Sequence, residues 1–451
     1  MKVLLISANT LKEPYAVYPL GLDYVAGAIA EKHQVQIADM NTLGGYDSLA
    51  TAIQAFSPDV IGLSLRNIDN VDTTDPRGFI GHYRAIVDVI RKHSDAPLIL
   101  GGSGFTIFPE ETMQALGADF GVIGEGERVP LLLDAIEHRE DTAKIAGVVT
   151  PGTHKSLPEP WEGKINREIN PDPANLQFYL QNSGMLNLQT KRGCHFKCIY
   201  CTYPYIEGHH LRRTNPEKAA AAALRLQASG AKFFFITDSV FNADSSHSLA
   251  VARAFKKNGV SIPWGAFFAP LKQPEDYFQI MADAGLTHVE FGTDSLSNSV
   301  LSSYRKPFRD QQVFKIHQDA IDAGLYVAHY FLLGGPGENP QTLKETLDRV
   351  GSLEKSALFF FCGMRIYPGT ELYDIAVDEG QVERGLSILE PVFYRSPFID
   401  SDEIVRQVRQ AAGQRINWVI GGGGEETAKI ITGLHQRGHC GPMWEYYIRL
   451  S

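Results

Sequence analysis

Apolar positions in the first 150 residues occur in short continuous runs, and between these runs they recur every three to four residues. The continuous runs predict five β-strands, the fifth ending in a loop: residues 3–7, 36–39, 60–65, 98–102 and 119–127. The periodic segments predict helices: residues 21–32, 48–56 and 81–92. Strands that are apolar at nearly every position are buried on both faces. We therefore expect residues 1–150 to form an α/β domain with a doubly wound parallel sheet.

Residues 151–184 lack this periodicity and are rich in Pro, Asn, Glu and Asp, which predicts a linker. A second series of six strands follows: residues 185–190, 232–238, 263–269, 287–293, 325–334 and 357–367. Helical periodicity fills the intervals between them: residues 216–229, 246–258, 274–284, 310–323 and 340–353. Six repeats are too few to close an eightfold barrel. We expect a partial (β/α)6 barrel over 185–380 and a small, mostly helical region over 381–451 that caps the active site.

Glycine and polar residues follow three strands of the first series. In an open parallel sheet, ligands bind outside the carboxyl ends of the strands. The candidate binding residues at this edge are Ser64, Leu65, Arg66 and Asn67, then Gly101, Gly102, Ser103 and Gly104, and then Gly124, Glu125, Gly126 and Glu127.

The net charge of the 451 residues is −10, and only five of them are cysteines. An acidic chain without a basic stripe is atypical of proteins that bind nucleic acid through counterion release, so no nucleic-acid partner is expected. No apolar run reaches the ~18 residues of a membrane-spanning helix. So few cysteines argue against a secreted disulfide scaffold and predict a cytoplasmic protein, in which clustered cysteines serve as ligands or nucleophiles.

Three of the five cysteines form one cluster. Cys194, Cys198 and Cys201 have the spacing C-x3-C-x2-C, directly after the first strand of the second series. Three thiolates can surround a metal centre but leave tetrahedral coordination one ligand short. One interpretation is a structural zinc site, with a nearby histidine as fourth ligand. The other is a four-iron, four-sulfur cluster in which one iron has no protein ligand.

This cysteine motif, with Tyr200 before its last cysteine and a partial barrel around it, resembles the radical S-adenosylmethionine (SAM) superfamily. In that family the open iron of a [4Fe–4S] cluster binds the amino and carboxylate groups of SAM. Electron transfer from the cluster then splits SAM to give a 5′-deoxyadenosyl radical. The resemblance implies that the three cysteines are cluster ligands and that a reductant such as flavodoxin or ferredoxin supplies the electron.

Segments after later strands also resemble this superfamily: ITDSVFN, VEFGTDS, FLLGGPGE and RIYPGTELY. The resemblance assigns a set of strand-end residues to SAM: Tyr200, Thr237, Asp238, Ser239, Glu290, Asp294, Ser295, Leu333, Gly334 and Gly335. The second strand lacks the family's glycine-glycine-glutamate sequence, so the partner of the SAM amino group stays open. Taken singly, each glycine loop is equally typical of an ordinary βα turn.

The front domain resembles the cobalamin-binding domain of B12-dependent radical SAM enzymes through four segments: LGLDYVAGAI, GLSLRNIDN, GGSGFTIFPE and GVIGEGE. The resemblance assigns the twelve strand-end residues named above to cobalamin. The D-x-H-x-x-G motif that supplies a histidine below cobalt in other B12 proteins is not found, so Arg66 or Asn67 is expected to face that side. The alternative is that Arg66 pairs with Asp69 or Asp72 within its loop.

Together these resemblances imply a cobalamin-dependent radical SAM C-methyltransferase, which methylates an unactivated carbon of a small-molecule or lipid-like substrate through methylcobalamin. Substrate contacts are predicted for His329 and Tyr330 on the fifth strand and for Cys440 in the aromatic-rich tail. Two alternatives remain. One is an enzyme with the same cofactors that catalyses a rearrangement, ring contraction or oxidative cyclisation. The other is a non-enzymatic cobalamin- or metal-binding protein with a structural zinc site.

Overall fold

The fold is taken from a computed structural model that describes residues 1–12, 15–153, 157–163, 165, 167 and 173–449. Parts of the predicted linker, 154–156, 164, 166 and 168–172, lie outside the described residues. The first sheet contains six strands: β1 (Lys2–Ser7), β2 (Gln34–Asp39), β3 (Val60–Ser64), β4 (Leu98–Gly101), β5 (Phe120–Val122) and β6 (Val148–Val149). Their order is β2-β1-β3-β4-β5-β6, and only β6 is antiparallel to its neighbour.

In the described part of this domain, α-helices cover both faces of the sheet: α1 (Leu20–Ile29), α2 (Tyr46–Phe56), α3 (Ile80–His93), α4 (Ser103–Ile107), α5 (Pro109–Leu116) and α6 (Val129–His138). Alternate side chains of β1 point to opposite faces of the sheet, since Leu4 and Ile6 belong to one apolar core and Val3 and Leu5 to the other. The doubly wound arrangement is thus confirmed. The sequence pattern missed α4 to α6, of which α4 has only five residues.

The second sheet is built on the strands β7 (Met185–Leu188), β10 (Phe233–Ile236), β11 (Trp264–Phe268), β12 (Leu286–Asp294), β13 (Tyr326–Leu333) and β14 (Ser356–Cys362). Short pairs also occur: β8 (Lys191–Arg192) with β9 (Arg212–Arg213), and β15 (Met364–Arg365) with β16 (Phe393–Tyr394). The main strands are parallel and follow one another in chain order. This is the predicted partial barrel.

The helices of this part lie mostly between consecutive strands: α7 (Pro173–Asn182), α8 (Tyr203–Glu207), α9 (Pro216–Ala228), α10 (Ser245–Asn258), α11 (Tyr277–Asp283), α12 (Asn298–Ser303), α13 (Asp310–Asp322), α14 (Pro340–Val350) and α15 (Glu371–Asp378). Their starts follow capping chemistry. The Asn215 side chain accepts hydrogen bonds from the first turn of α9, and Pro216 occupies the first helical position, where no N–H is needed.

The C-terminal region contains α16 (Ser401–Ala412), β17 (Trp418–Ile420), α17 (Gly424–Gln436) and α18 (Glu445–Arg449). Strand β17 pairs in parallel with β14 and extends the barrel sheet to seven strands, one more than predicted. A strand of three residues is too short to show a periodic pattern, which is why the sequence did not reveal it. Helix α17 contacts α7, so the two ends of the open sheet are bridged.

The front domain docks on the carboxyl ends of the barrel strands. Asp69 in the loop after β3 forms a buried ion pair of 2.8 Å with Arg365, and Tyr179 of α7 donates a 2.5 Å hydrogen bond to Asp39 at the end of β2. The strand ends of both sheets therefore face each other across the domain interface.

In the described part of the chain, no helix combines the length and the apolar character that a membrane span needs.

Candidate active site

A cavity of about 570 Å³ lies between the two sets of strand ends. All but one of the residues that the sequence assigned to cobalamin line it: Ser64, Arg66, Asn67, Gly101, Gly102, Ser103, Gly104, Gly124, Glu125, Gly126 and Glu127. The exception is Leu65, whose side chain is buried in the front-domain core while its carbonyl accepts a 2.9 Å hydrogen bond from the Gly104 amide. The barrel contributes Asn187, Gln189, Arg192, Thr237 and Phe267.

Two glycines of the cavity lining lie where a side chain would clash with the protein. A Cβ on Gly102, whose φ is +96°, would lie 2.7 Å from the Leu65 carbonyl oxygen. A Cβ on Gly126 would lie 2.4 Å from a methyl carbon of Val25. Both positions therefore exclude side chains, and the backbone itself faces the space between the domains.

Two polar groups in this cavity have no partner within the described part of the chain. The Asn9 side-chain amide nitrogen is buried and makes no hydrogen bond, although its oxygen accepts one from the Leu11 amide. The Arg66 guanidinium forms no ion pair, because Asp69 is taken by Arg365 and Asp72 accepts hydrogen bonds from Thr74. Unpaired amide and guanidinium donors fit a corrin ring, whose rim carries carboxamide groups.

Glu125 and Glu127 form ion pairs with arginine residues of the barrel. Arg192 donates hydrogen bonds of 2.5 Å to Glu125 and 2.7 Å to Glu127, and its guanidinium lies over the Tyr24 ring. Arg212 contacts both Glu125 carboxylate oxygens, at 2.9 and 2.8 Å. These carboxylates line the cavity. Their ion pairs with Arg192 hold the front domain against the barrel, two residues before Cys194.

The cysteine loop follows β8. Gly193, with a φ of +87°, turns the chain into it, and a Cβ there would lie 2.1 Å from the His210 carbonyl oxygen. The Cys194 amide donates to the Gly208 carbonyl at 3.1 Å, and the Cys201 amide donates to the Cys198 carbonyl at 3.2 Å. All three cysteines are free thiols, with Cys194 buried and the other two partly buried.

The three thiols influence one another electrostatically. Burial raises the pKa of Cys198 and raises that of Cys201 to about 12, and a charge on Cys194 adds to both shifts. Within the described residues, no group of three His, Cys, Asp or Glu side chains converges closely enough for a single metal ion. A [4Fe–4S] cube is wider than one ion and binds each thiolate at a separate iron. The mutual electrostatic influence of the three thiols shows that they lie near one another, and three thiols on one short loop suit such a cluster.

A buried lysine that the sequence analysis did not identify lies beside these thiols. Lys306 contacts Asp294 at 2.9 Å and donates to the Tyr200 hydroxyl at 3.2 Å, while Tyr200 donates to Asp294 at 2.6 Å. Burial alone would lower the pKa of Lys306, but the charges of Asp294 and Cys198 raise it. Asp294 has a φ of +62°, which is uncommon for a residue with a side chain.

The three residues after β10 support the cysteine loop. Asp238 is fully buried, forms an ion pair of 3.1 Å with Lys191 and accepts hydrogen bonds from Thr190. Ser239 donates to the Gly193 carbonyl at 3.0 Å. Thr237 donates to the Leu188 carbonyl and lines the cavity. Asp238 is thus committed to the protein, and of the three only Thr237 has a side chain at the cavity.

Other predicted SAM residues occupy different layers of the barrel. Ser295 hydrogen-bonds Thr346 on the helix side, at 3.0 Å, and Leu333 is buried in the helix-side core. Gly334 has a φ of +86°, and a Cβ on Gly335 would lie 2.6 Å from the Tyr304 hydroxyl. The side chains of Ser295 and Leu333 therefore point away from the barrel interior, and only backbone can be presented at these positions.

The three predicted substrate residues also lie in different parts of the barrel. His329 packs between β13 and α13, with its ring nitrogens 2.7 Å from Thr293 and 3.0 Å from His317, so it faces away from the barrel interior. Cys440 is exposed, and its Sγ would lie 2.8 Å from a Cβ on Gly184, at the amino end of β7. It lies opposite the strand ends that form the cavity. Only Tyr330 faces the interior, where it donates to Glu290 at 2.9 Å.

The buried histidines predict a pH effect on stability. Burial lowers the pKa of His317 to about 4 and that of His329 well below its ordinary value. Because the unfolded histidines bind protons near pH 6.5 and the folded ones do not, stability is fully present above pH 6.5 and decreases as pH falls toward 4. For His317 the loss between pH 7 and pH 5 is about 2 kcal/mol.

Denaturant unfolding at the two pH values measures this loss. His317→Asn should unfold with a weaker pH dependence than the unsubstituted chain. His138→Gln, at an exposed position, should keep the original dependence. Equal pH dependence in His317→Asn and the unsubstituted chain would contradict the assignment.

Sequence reasoning did not identify Asn9, Arg192, Lys306 or Trp444. Asn9 carried a usable signal, since it follows a buried strand as the predicted residues do. Arg192 and Lys306 precede and follow recognised motifs, but their partners Glu127 and Tyr200 are 65 and 106 residues away. No local pattern shows such pairings.

Protein-family models match two segments of the chain. The model "B12 binding domain" matches residues 6–133, and the model "Radical SAM superfamily" matches residues 188–350. The chain is 23% identical to tryptophan 2-C-methyltransferase of Streptomyces laurentii, over 81% of this chain and 73% of that protein. It is 25% identical to cytidylyl-2-hydroxyethylphosphonate methyltransferase of Streptomyces wedmorensis, over 85% of this chain and 83% of that protein.

Solved structures show the same fold. The radical SAM methyltransferase TsrM of Kitasatospora setae, solved with cobalamin and a [4Fe–4S] cluster bound, has a TM-score of 0.88 at 20% identity and covers 99% of this chain and 97% of its own. The cobalamin-dependent SAM radical enzyme OxsB with aqua-cobalamin and SAM bound has a TM-score of 0.71 at 14% identity, covering 100% and 72%. Both family models match in the order of the two domains, and the chain therefore belongs to the cobalamin-dependent radical SAM enzymes.

Proposed function

We propose that this enzyme is a C-methyltransferase that transfers a methyl group from SAM to a carbon of a small molecule by way of cobalamin. The observation that carries the proposal is that the predicted cobalamin loops and barrel residues next to the cysteine loop line the same cavity of about 570 Å³. The names of the two relatives, both methyltransferases of small molecules, support methyl transfer over rearrangement or cyclisation.

Separate parts of the chain would hold the cofactors. Cys194, Cys198 and Cys201 would bind the [4Fe–4S] cluster and leave one iron for SAM. Lys306, an ammonium buried beside these thiols, suits the carboxylate of SAM. When bound, the cluster and SAM supply a 5′-deoxyadenosyl radical and cobalamin supplies the methyl group.

The front domain would hold cobalamin with the glycine loops after β4 and β5. Asn9 would offer its unpaired amide to the carboxamide groups of the corrin, and Arg66, which lines the same cavity, would contact the corrinoid as well. The Arg192 ion pairs keep the two domains together, which limits water in the cavity. A reductant such as flavodoxin or ferredoxin would deliver the electron to the cluster.

Transfer of labelled methyl tests this proposal. The full chain, reconstituted anaerobically with iron, sulfide and reduced cobalamin, is incubated with SAM that carries a ¹³C-methyl group. Mass spectrometry should find the label on the corrinoid without substrate, and tryptophan is the first compound to test for onward transfer. The chain lacking corrinoid is the control. A corrinoid that stays unlabelled would refute methyl transfer and favour the non-methylating alternative.

A further inference from the structure

Glu290 is a carboxyl group buried inside the barrel without a counter-ion. It lies on β12, accepts hydrogen bonds of 2.9 Å from the Tyr330 hydroxyl and 2.9 Å from the Trp444 indole N–H, and is 4% exposed. No Lys, Arg or His in the described part of the chain forms an ion pair with it. Burial raises its pKa to about 7. An isolated buried carboxylate is costly, and two neutral donors offset this cost only in part.

Aromatic rings surround this carboxyl. We use the name barrel chamber for the cluster of side chains formed by Tyr15, Phe235, Phe267, Glu290, Tyr330 and Trp444. Phe235 and Phe267 meet edge to face at 4.8 Å between ring centres, and Tyr15 packs against the apolar group that contains Phe235. Tyr330 stacks on Phe359 at 4.9 Å. The walls suit a flat or apolar body, and the one acidic group at the base suits a positive end.

The barrel chamber adjoins the cavity between the domains. Glu290 and Phe267 are partners in the register of β12 and β11, so both side chains lie on the same face of the sheet. Phe267 lines the cavity and is 38% exposed to it. Tyr15, from the loop after β1, lies near both Glu290 and Arg66, because the charges of both influence its hydroxyl. The cavity and the barrel chamber thus share Phe267, which lies beside Glu290 in the sheet.

We propose that Glu290 binds a nitrogen-bearing cation of the substrate, so that the enzyme acts on small molecules with an amine on an apolar or aromatic body. This inference rests on the proposed function, since it takes the cavity as the reaction site. Pairing with an ammonium group provides the counter-charge that the protein omits and adds a charge-assisted hydrogen bond. A neutral substrate of the same shape leaves the carboxyl without that partner.

The amino group of SAM is the other possible source of a cation. It belongs at the open iron, beside the thiols whose charged neighbours are Lys306 and Asp294. Glu290 lies four residues before Asp294 on the same strand, roughly 13 Å away at the usual rise per residue. The geometry therefore favours the substrate.

Equilibrium binding of a matched probe pair tests the proposal. The full chain, reconstituted with cluster and cobalamin but without SAM, is titrated with 2-phenylethylamine and with 2-phenylethanol at pH 8 in a calorimeter. We expect the amine to bind about tenfold or more tightly than the alcohol, since the pair differs only in the charged donor. Glu290→Gln should abolish the preference.

Two variants guard against a folding artefact. Asp39→Asn removes another buried carboxyl that accepts a tyrosine hydrogen bond, but outside the barrel chamber, and should keep the preference. Trp444→Phe removes one neutral donor from Glu290 and should raise the amine affinity, opposite in direction to Glu290→Gln. Equal binding of amine and alcohol to the unsubstituted chain, or an unchanged preference in Glu290→Gln, would overturn the proposal.

A third titration, of SAM into the unsubstituted chain and into Glu290→Gln, separates the two sources of the cation. If Glu290→Gln lowers SAM affinity tenfold while the amine preference is absent, Glu290 serves SAM and the substrate assignment is wrong. Because these titrations measure binding and involve no methyl transfer, they can fail while label still moves to the corrinoid, and the label can fail to move while they succeed.

Discussion

Cys194→Ala will lose most of its iron and more than about 100-fold of its methyl-transfer activity, since loss of a direct ligand exceeds the 10–100-fold effect typical of groups that only orient ligands. The same is expected for Cys198→Ala and Cys201→Ala, because each thiolate binds a separate iron. Iron content and the visible absorption of the anaerobically reconstituted variants measure the effect.

Cys440→Ala provides the matched control, because its thiol is exposed at the amino ends of the barrel strands. Its iron content should equal that of the unsubstituted chain. A Cys194→Ala variant with full iron content, or a colourless protein that contains zinc in its place, would contradict the cluster assignment and revive the structural-zinc interpretation.

Lys191→Met will lower the free energy of unfolding by about 3–5 kcal/mol, the usual effect of removing one partner from a buried ion pair. The side chains of Lys191 and Asp238 are both fully inaccessible, and the substitution leaves the Asp238 carboxylate buried without its cation. Asp238 also accepts hydrogen bonds from Thr190. We therefore expect a shift of the Asp238 carboxylate to displace the strand that leads to the cysteine loop. Denaturant unfolding of the apo chain measures the loss.

The double variant Lys191→Met/Asp238→Asn should recover most of this stability, because the amide oxygen still accepts hydrogen bonds and carries no charge. Lys256→Met removes an exposed pair with Asp283 and should change the free energy of unfolding far less than Lys191→Met does. If Lys191→Met is no more destabilising than Lys256→Met, the Lys191–Asp238 pair does not support the cysteine loop.

The strands of both domains could be predicted because burial on both faces leaves a continuous apolar run in the sequence. Phe233–Ile236 is such a run, and all four residues are buried. The three-residue strand β17 and the five-residue helix α4 were missed, since neither is long enough to repeat a pattern. The domain boundaries at 150, 184 and 380 remain predictions.

The candidate site was predictable as a set of strand ends, but not side chain by side chain. His329 and Tyr330 are neighbours on β13, and successive residues of a strand point to opposite faces. Tyr330 turned out to face the interior and His329 the helix layer. Sequence alone could not decide between them, because both faces of a buried parallel strand are apolar and give the same pattern.

The sequence by itself determined the two α/β units, the order in which they occur and the cysteine motif, since each depends on residues within a few positions of one another. Only the tertiary structure decided that Glu125 and Glu127 form ion pairs with Arg192 and that Asp238 forms one with Lys191. It also decided that Glu290 has no cationic partner among the described residues. The physical reason is that charge pairing and exposure to a cavity depend on distance in space. That distance is set by the packing of distant elements, which no local periodicity records.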